Sequence, residues 1–107
     1  MPFDRHVLDL DPAQETERIV CALRHTVLSV MRRRGGVLGI SGGVDSSVVL
    51  ALTVRAFGPQ HVVPLMLPEQ DSDPASERLA RLVANHFGVE PVLENITPAL
   101  AGFGCYA

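Results

Sequence analysis

An α/β fold with a parallel sheet is what the sequence predicts, and three observations carry it. Apolar residues recur with helical spacing in some segments and as short unbroken runs in others, in the order helix, strand, helix, strand, helix, strand. The runs at residues 37–40 and 62–67 show almost no polar alternation, as in parallel strands covered on both faces. Aspartate–proline pairs, Asp11-Pro12 and Asp73-Pro74, stand before two of the helical segments, where a carboxylate caps the first turn and proline loses no hydrogen bond. This order favours right-handed crossovers between parallel strands. The 107 residues read as one domain, with residues 1–35 as a leading helix and 36–107 as a βαβαβ core.

After the first cap, Ile19, Val20, Leu23, Val27, Val30 and Met31 form the apolar stripe of the leading helix. Cys21 falls within this pattern and is expected to be a small core residue. Arg32, Arg33 and Arg34 are expected to close the helix, where cations suit the negative end of its dipole. A solvated turn explains them better than a phosphate site does. Gly35-Gly36 breaks the helix before the first strand. Residues 46–57 are apolar nearly all round, so the second helix is expected to be buried on every side, and Gly58-Pro59 stops it. Pro64 removes a ladder donor from the second strand, where an irregular stretch is expected. Leu79, Leu82, Val83 and Phe87 mark the face of the third helix, which Gly88 ends. Residues 89–96 are expected to form a third strand, weakened by Pro91, Glu90 and Glu94, and Thr97-Pro98 opens a last helical turn.

Composition narrows the function. A net charge of −3 argues against nucleic-acid binding through a basic surface. All nine basic residues are arginine, which excludes a Walker-type loop and Schiff-base chemistry, since both need lysine. Cys21 and Cys105 stand apart from each other and from histidine at ligand spacing, against a zinc or iron–sulfur site. The longest apolar run, residues 48–54, is too short to span a bilayer, and no secretory signal is visible at the start. A cytoplasmic protein is expected. His25, His61 and His86 read as surface or packing residues.

The loop after the first strand is where a parallel sheet gathers ligands, and here it reads Ser41-Gly42-Gly43-Val44-Asp45-Ser46. Paired glycines take dihedrals closed to other residues and admit phosphate oxygens to the peptide N–H groups. The helix that follows directs orphan N–H groups and the positive end of its dipole to the same point. Ser41 and Ser46 add hydroxyl donors. Asp45 puts a carboxylate beside a site built for anions, a conflict that a shared Mg²⁺ resolves. A serine-capped turn needs only one such side chain. Asp71 and Asp73 are candidates for a second metal, although Asp73 already serves as a helix cap.

These six residues resemble the SGGxDS signature of the N-type ATP pyrophosphatases, a superfamily that includes NAD, GMP, asparagine and argininosuccinate synthetases and tRNA thiolases. The longer stretch Gly39-Ile40-Ser41-Gly42-Gly43-Val44-Asp45-Ser46-Ser47 is similar to the ammonia-dependent NAD synthetases. So are residues 56–63, the following Met66-Leu67-Pro68, and the helix at 15–33. The likeness covers nearly the whole chain. It implies a Rossmann-like, three-layer sandwich of the adenine nucleotide alpha hydrolase type, truncated after about three strands. It also implies ATP contacts from Gly39 through Ser46, backbone contacts to adenine from Met66 and Leu67, and Gln70 close to the nucleotide.

The activity implied is that of an AMP-forming carbon–nitrogen ligase. The carboxylate of nicotinic acid adenine dinucleotide attacks the α-phosphate of ATP, pyrophosphate leaves in the grip of the loop and Mg²⁺, and ammonia displaces AMP to give NAD. A homodimer and free or partner-delivered ammonia go with this reading. Members of the family are far longer than this chain, so it is expected to be an N-terminal piece. Two other readings remain open: another amidating branch, of GMP-synthetase type or acting on a sugar or antibiotic, and a nucleotide-binding module without catalysis. A tRNA thiolase is disfavoured because paired cysteines are absent.

Overall fold

The computed structural model describes residues 9–69 and 72–106. Helix α1 (Pro12–Arg24) starts where expected, with the Asp11 carboxylate accepting from the N–H groups of Ala13 and Gln14 at 3.0 and 3.4 Å. Val20 is its one buried residue. Cys21 is exposed, which corrects the expectation of a core residue: it lies about 100° around the helix from Val20, off the narrow buried line. The helix then widens into a π-helical segment, His25–Val30, in which Met31 N–H reaches back to Thr26 C=O. The added residue per turn rotates the stripe, and Val30 and Met31 face outward. Arg32 has a φ of 53° and ends the helix, so the arginine run lies past the last turn instead of within it.

Strand β1 (Gly36–Gly39), strand β2 (Val62–Met66) and the two-residue β3 (Val92–Leu93) form a parallel sheet in the order β1-β2-β3. Helix α2 (Val44–Phe57) connects the first pair and α3 (Pro74–His86) the second. Both pack on the face of Leu38, Ile40, Val62 and Met66, where Leu50, Ala80, Ala84 and Val89 complete the core. Alternate residues point away, and Val37 and Val63 are 66% and 41% exposed. Among the described residues there are thus two layers, with the second face of the sheet bare. Arg24 ties α1 to the end of α2, its guanidinium donating to the carbonyls of Ala56 and Arg55 at 2.8 and 3.3 Å.

Several expectations give way to this packing. Helix α2 buries Leu50, Thr53 and Ala56 on one side only, and Val44, Val48 and Val49 are exposed, because α1, α3 and the sheet reach only part of it. On α3 the buried residues are Ala80 and Ala84, with Val83 and Phe87 beside them, while Leu79 and Leu82 are exposed. Alanine lets the helix approach the sheet more closely than a leucine face would. β2 runs without the irregularity expected at Pro64. Leu65 C=O accepts from Ile40, Met66 C=O from Glu94, and Pro64 shares the parity of Met66. Its missing donor therefore faces the β3 side, before that short strand begins. β3 is far shorter than the expected 89–96, since Val89 is buried in the turn after α3 and Pro91 precedes the pairing. The chain nonetheless continues alongside β2, with Glu94 N–H on Met66 C=O and Ile96 N–H on Pro68 C=O, both at 2.9 Å. Helix α4 (Thr97–Gly102) follows.

Candidate functional site

The carboxyl ends of β1 and β2 open into a cavity of about 400 Å³, walled on one side by the first turns of α3. This is where open parallel sheets hold ligands. Ile40 and Ser41 line it from β1, Met66, Leu67, Pro68 and Glu69 from the end of β2, and Asn95 from beyond β3. Ser72 and Asp73 lead into α3, which adds Ser76, Glu77 and Ala80. The strand ends make an apolar floor, and the α3 side carries carboxylates.

Between β1 and α2 the glycine loop turns on one special residue. Gly42 has a φ of 83°, and a Cβ there would lie 2.6 Å from Leu79 Cβ and 3.0 Å from Ala80 N. Only glycine fits. Gly43 differs from the expectation: its φ of −79° and ψ of 172° suit any residue, and a Cβ would meet Ser41 Oγ at an ordinary 3.4 Å. The need for unusual dihedrals thus rests on Gly42 alone. Hydroxyls close the turn. Ser41 N–H donates to Ser46 Oγ at 3.1 Å, Gly43 N–H to Ser41 Oγ at 3.3 Å, and the two hydroxyls lie 3.3 Å apart. Ser46 Oγ and Ser47 Oγ both donate to Gly43 C=O, at 3.4 and 2.6 Å.

Helix α2 opens without a side-chain cap, whereas α1 and α3 each have an aspartate. Its first backbone hydrogen bond runs from Ser47 N–H to Gly43 C=O at 3.1 Å. The N–H groups of Val44, Asp45 and Ser46 therefore find no acceptor among the described residues. Three orphan donors and the positive end of the dipole converge on one exposed point, a cradle for an anion. The Asp45 carboxylate is exposed in the same turn and makes no hydrogen bond or ion pair with a described residue. No group of three or more His, Cys, Asp or Glu residues able to hold a metal occurs among the described residues. One carboxylate beside an anion cradle suits a cation shared with phosphate oxygens and water, as Mg²⁺ is, and does not suit a metal cage.

The sequence-predicted residues divide between neighbouring places. Ile40, Ser41, Met66 and Leu67 line the cavity. Gly42, Gly43 and Val44 border an adjoining apolar groove of about 530 Å³ between α2 and α3, with Val48, Leu82 and Phe87. Asp45 and Ser46 stand in the first turn of α2. Gly39 lies on the bare face of the sheet, where its Cβ position is 3.9 Å from Leu67 Cδ1. The Met66 carbonyl is taken by Glu94, whereas Leu67 has the parity of Leu65 and its backbone addresses the crevice beside β1. Gln70 and Asp71 lie outside the described residues. Asp73 caps α3, its carboxylate accepting from Ala75 N–H at 2.9 Å. His25, His61 and His86 are exposed and none lines the cavity. Glu69, Ser72, Ser76, Glu77 and Asn95 also line the cavity, and no motif in the sequence marks them. The Asp73-Pro74 pair was the signal available for the α3 wall, because it fixes where that helix starts.

A family model for NAD synthase matches residues 15–105. Among curated proteins, the NH3-dependent NAD+ synthetase of Rhizobium meliloti (strain 1021) is 55% identical over 104 residues, covering 97% of this chain and 31% of the relative. The chain thus spans about a third of the length of the curated relatives it matches. Among solved structures, an NMN synthetase from Francisella tularensis superposes with a TM-score of 0.81 at 26% identity, over 91% of this chain and 40% of the other. A glutamine-dependent NAD+ synthetase from Acinetobacter baumannii in complex with ADP gives 0.79 at 29% identity, over 94% and 21%.

Proposed function

The chain belongs to the NAD synthase family, and from that premise we propose that it forms the ATP-binding part of an AMP-forming amide ligase. The uncapped N-terminus of α2, directed at the carboxyl end of β1, carries the proposal. Its three orphan N–H groups and the loop hydroxyls take the β- and γ-phosphates, and the adenosine lies in the cavity against residues 66–68. Gripping both phosphates as one unit stabilises them as leaving pyrophosphate and presents the α-phosphate for attack. Asp45 would hold Mg²⁺, which when bound neutralises charge on the phosphates. In the whole protein, the attacking group is the carboxylate of nicotinic acid adenine dinucleotide, and ammonia then displaces AMP to give NAD. The ammonia is free or delivered by a partner, and the enzyme works as a cytoplasmic homodimer. Among the described residues no helix is long and apolar enough to cross a membrane.

Labelled ATP, the dinucleotide acid and ammonia, supplied to the full-length protein, test this directly. AMP and pyrophosphate are the expected products, and ADP with orthophosphate would refute the mechanism. The likeness to an NMN synthetase favours one second reading, the same chemistry with a different acid as substrate. Offering the mononucleotide acid in the same assay separates the two.

A further inference from the structure

The chain after β3 is tied to the lip of the cavity by successive contacts. Glu94 N–H holds Met66 C=O and Ile96 N–H holds Pro68 C=O, each at 2.9 Å. Helix α4 then ends in a left-handed reversal at Gly104, whose φ is 81°. Cys105 N–H closes on Leu100 C=O and Gly104 N–H on Ala101 C=O, both at 3.0 Å. This double closure is the Schellman pattern, which turns a chain back on itself. Tyr106 is thereby returned to the lip, and its hydroxyl donates to Glu69 Oε2 at 2.5 Å across 37 residues of sequence. Both residues are half-buried. The Glu69 backbone is fixed as well, with its N–H on Ser72 Oγ and its C=O accepting from Ser72 N–H, both at 3.0 Å. A carboxylate lining a cavity is here held at main chain and side chain together.

We propose that Tyr106 is a positioning residue for the nucleoside end of the bound nucleotide, acting through the Glu69 carboxylate. The inference rests on the ATP-binding reading above. A carboxylate repels a polyphosphate and accepts from hydroxyl or amino groups, so the Glu69 side of the cavity suits a ribose or an exocyclic amine. The phosphates belong at the glycine loop, where the N–H donors are. An oriented carboxylate offers its acceptor at a fixed place, and the phenol supplies the orientation.

Two ligands that share one end separate this role from a structural one. The chain, with Mg²⁺ present, is titrated by calorimetry with ATP and with inorganic tripolyphosphate, which lacks the nucleoside. Tyr106→Phe is expected to weaken ATP about tenfold, the loss typical of a hydrogen bond to a charged group. Tripolyphosphate affinity should stay as in the wild type. Glu69→Gln, which keeps the size and an acceptor, should show the same selectivity with a smaller loss. Adding Glu69→Gln to Tyr106→Phe should cost less than the two changes separately, because they act through one contact. Equal weakening of both ligands, or unchanged ATP affinity in both variants, overturns the proposal. A wild-type chain that binds tripolyphosphate but not ATP overturns it too. Binding of neither ligand removes the ATP reading itself, and this inference with it.

Discussion

Gly42→Ala should unsettle the loop before any ligand is present. A φ of 83° strains an L side chain by about 1–3 kcal/mol, and the new Cβ would run into Leu79. A fall in melting temperature is expected, together with loss of ATP binding. Gly43→Ala should behave differently, since its backbone angles are ordinary and the nearest atom to a Cβ is a hydroxyl at 3.4 Å. Its melting temperature should be unchanged. Calorimetry should still show weaker ATP binding, because a methyl group at the N-cap would stand in the path proposed for the phosphate oxygens. Equal ATP affinity in Gly43→Ala and wild type would move the phosphate away from this cap. Asp45→Asn separates metal from anion: it should weaken ATP in the presence of Mg²⁺ and leave metal-free ATP unchanged or slightly tighter, as a negative charge is removed.

At the scale of elements, α2 carries the core as well as the loop. Leu50 is fully buried among Ile40, Val62, Met66 and Ala80, so Leu50→Ala should cost about 2–5 kcal/mol in urea denaturation. Asp73→Ala should cost about 1 kcal/mol by uncapping α3. It should also weaken ATP, because that helix start walls the cavity. What was legible beforehand follows from how local each cause is. Caps at Asp11 and Asp73, the order of elements and the glycine loop depend on neighbouring residues, and the sequence displays them. The π-helical segment, the rotation of α3 onto Ala80 and Ala84, and the brevity of β3 depend on which partner each element meets. Apolar periodicity alone could not separate Leu79 from Ala80 as the buried position. Glu69 and Asn95 were illegible for the same reason, since only the folded sheet brings residues 69 and 95 beside Ser41.

For the molecule as a whole, the uneven coverage of the sheet is the dominant physical fact. Among the described residues the helices lie on one face, and Val37 and Val63 stand exposed on the other. The Cα radius of gyration, 17.1 Å, exceeds the roughly 13 Å typical of a domain of about 100 residues. A slab with one oily side should associate, so sedimentation of this chain is expected to show concentration-dependent dimers or larger species. Val37→Lys with Val63→Thr should shift it toward monomer, and an unchanged profile would place the contact elsewhere. The seat of Gly42 on Leu79 and Ala80 has a separate consequence for protein engineering. The six-residue signature is not a portable cassette, because Gly42 packs against a helix that begins some thirty residues later. Grafted onto another α/β scaffold without α3, the loop would lose the surface against which Gly42 turns. A transplant of the loop would therefore have to bring α3 with it.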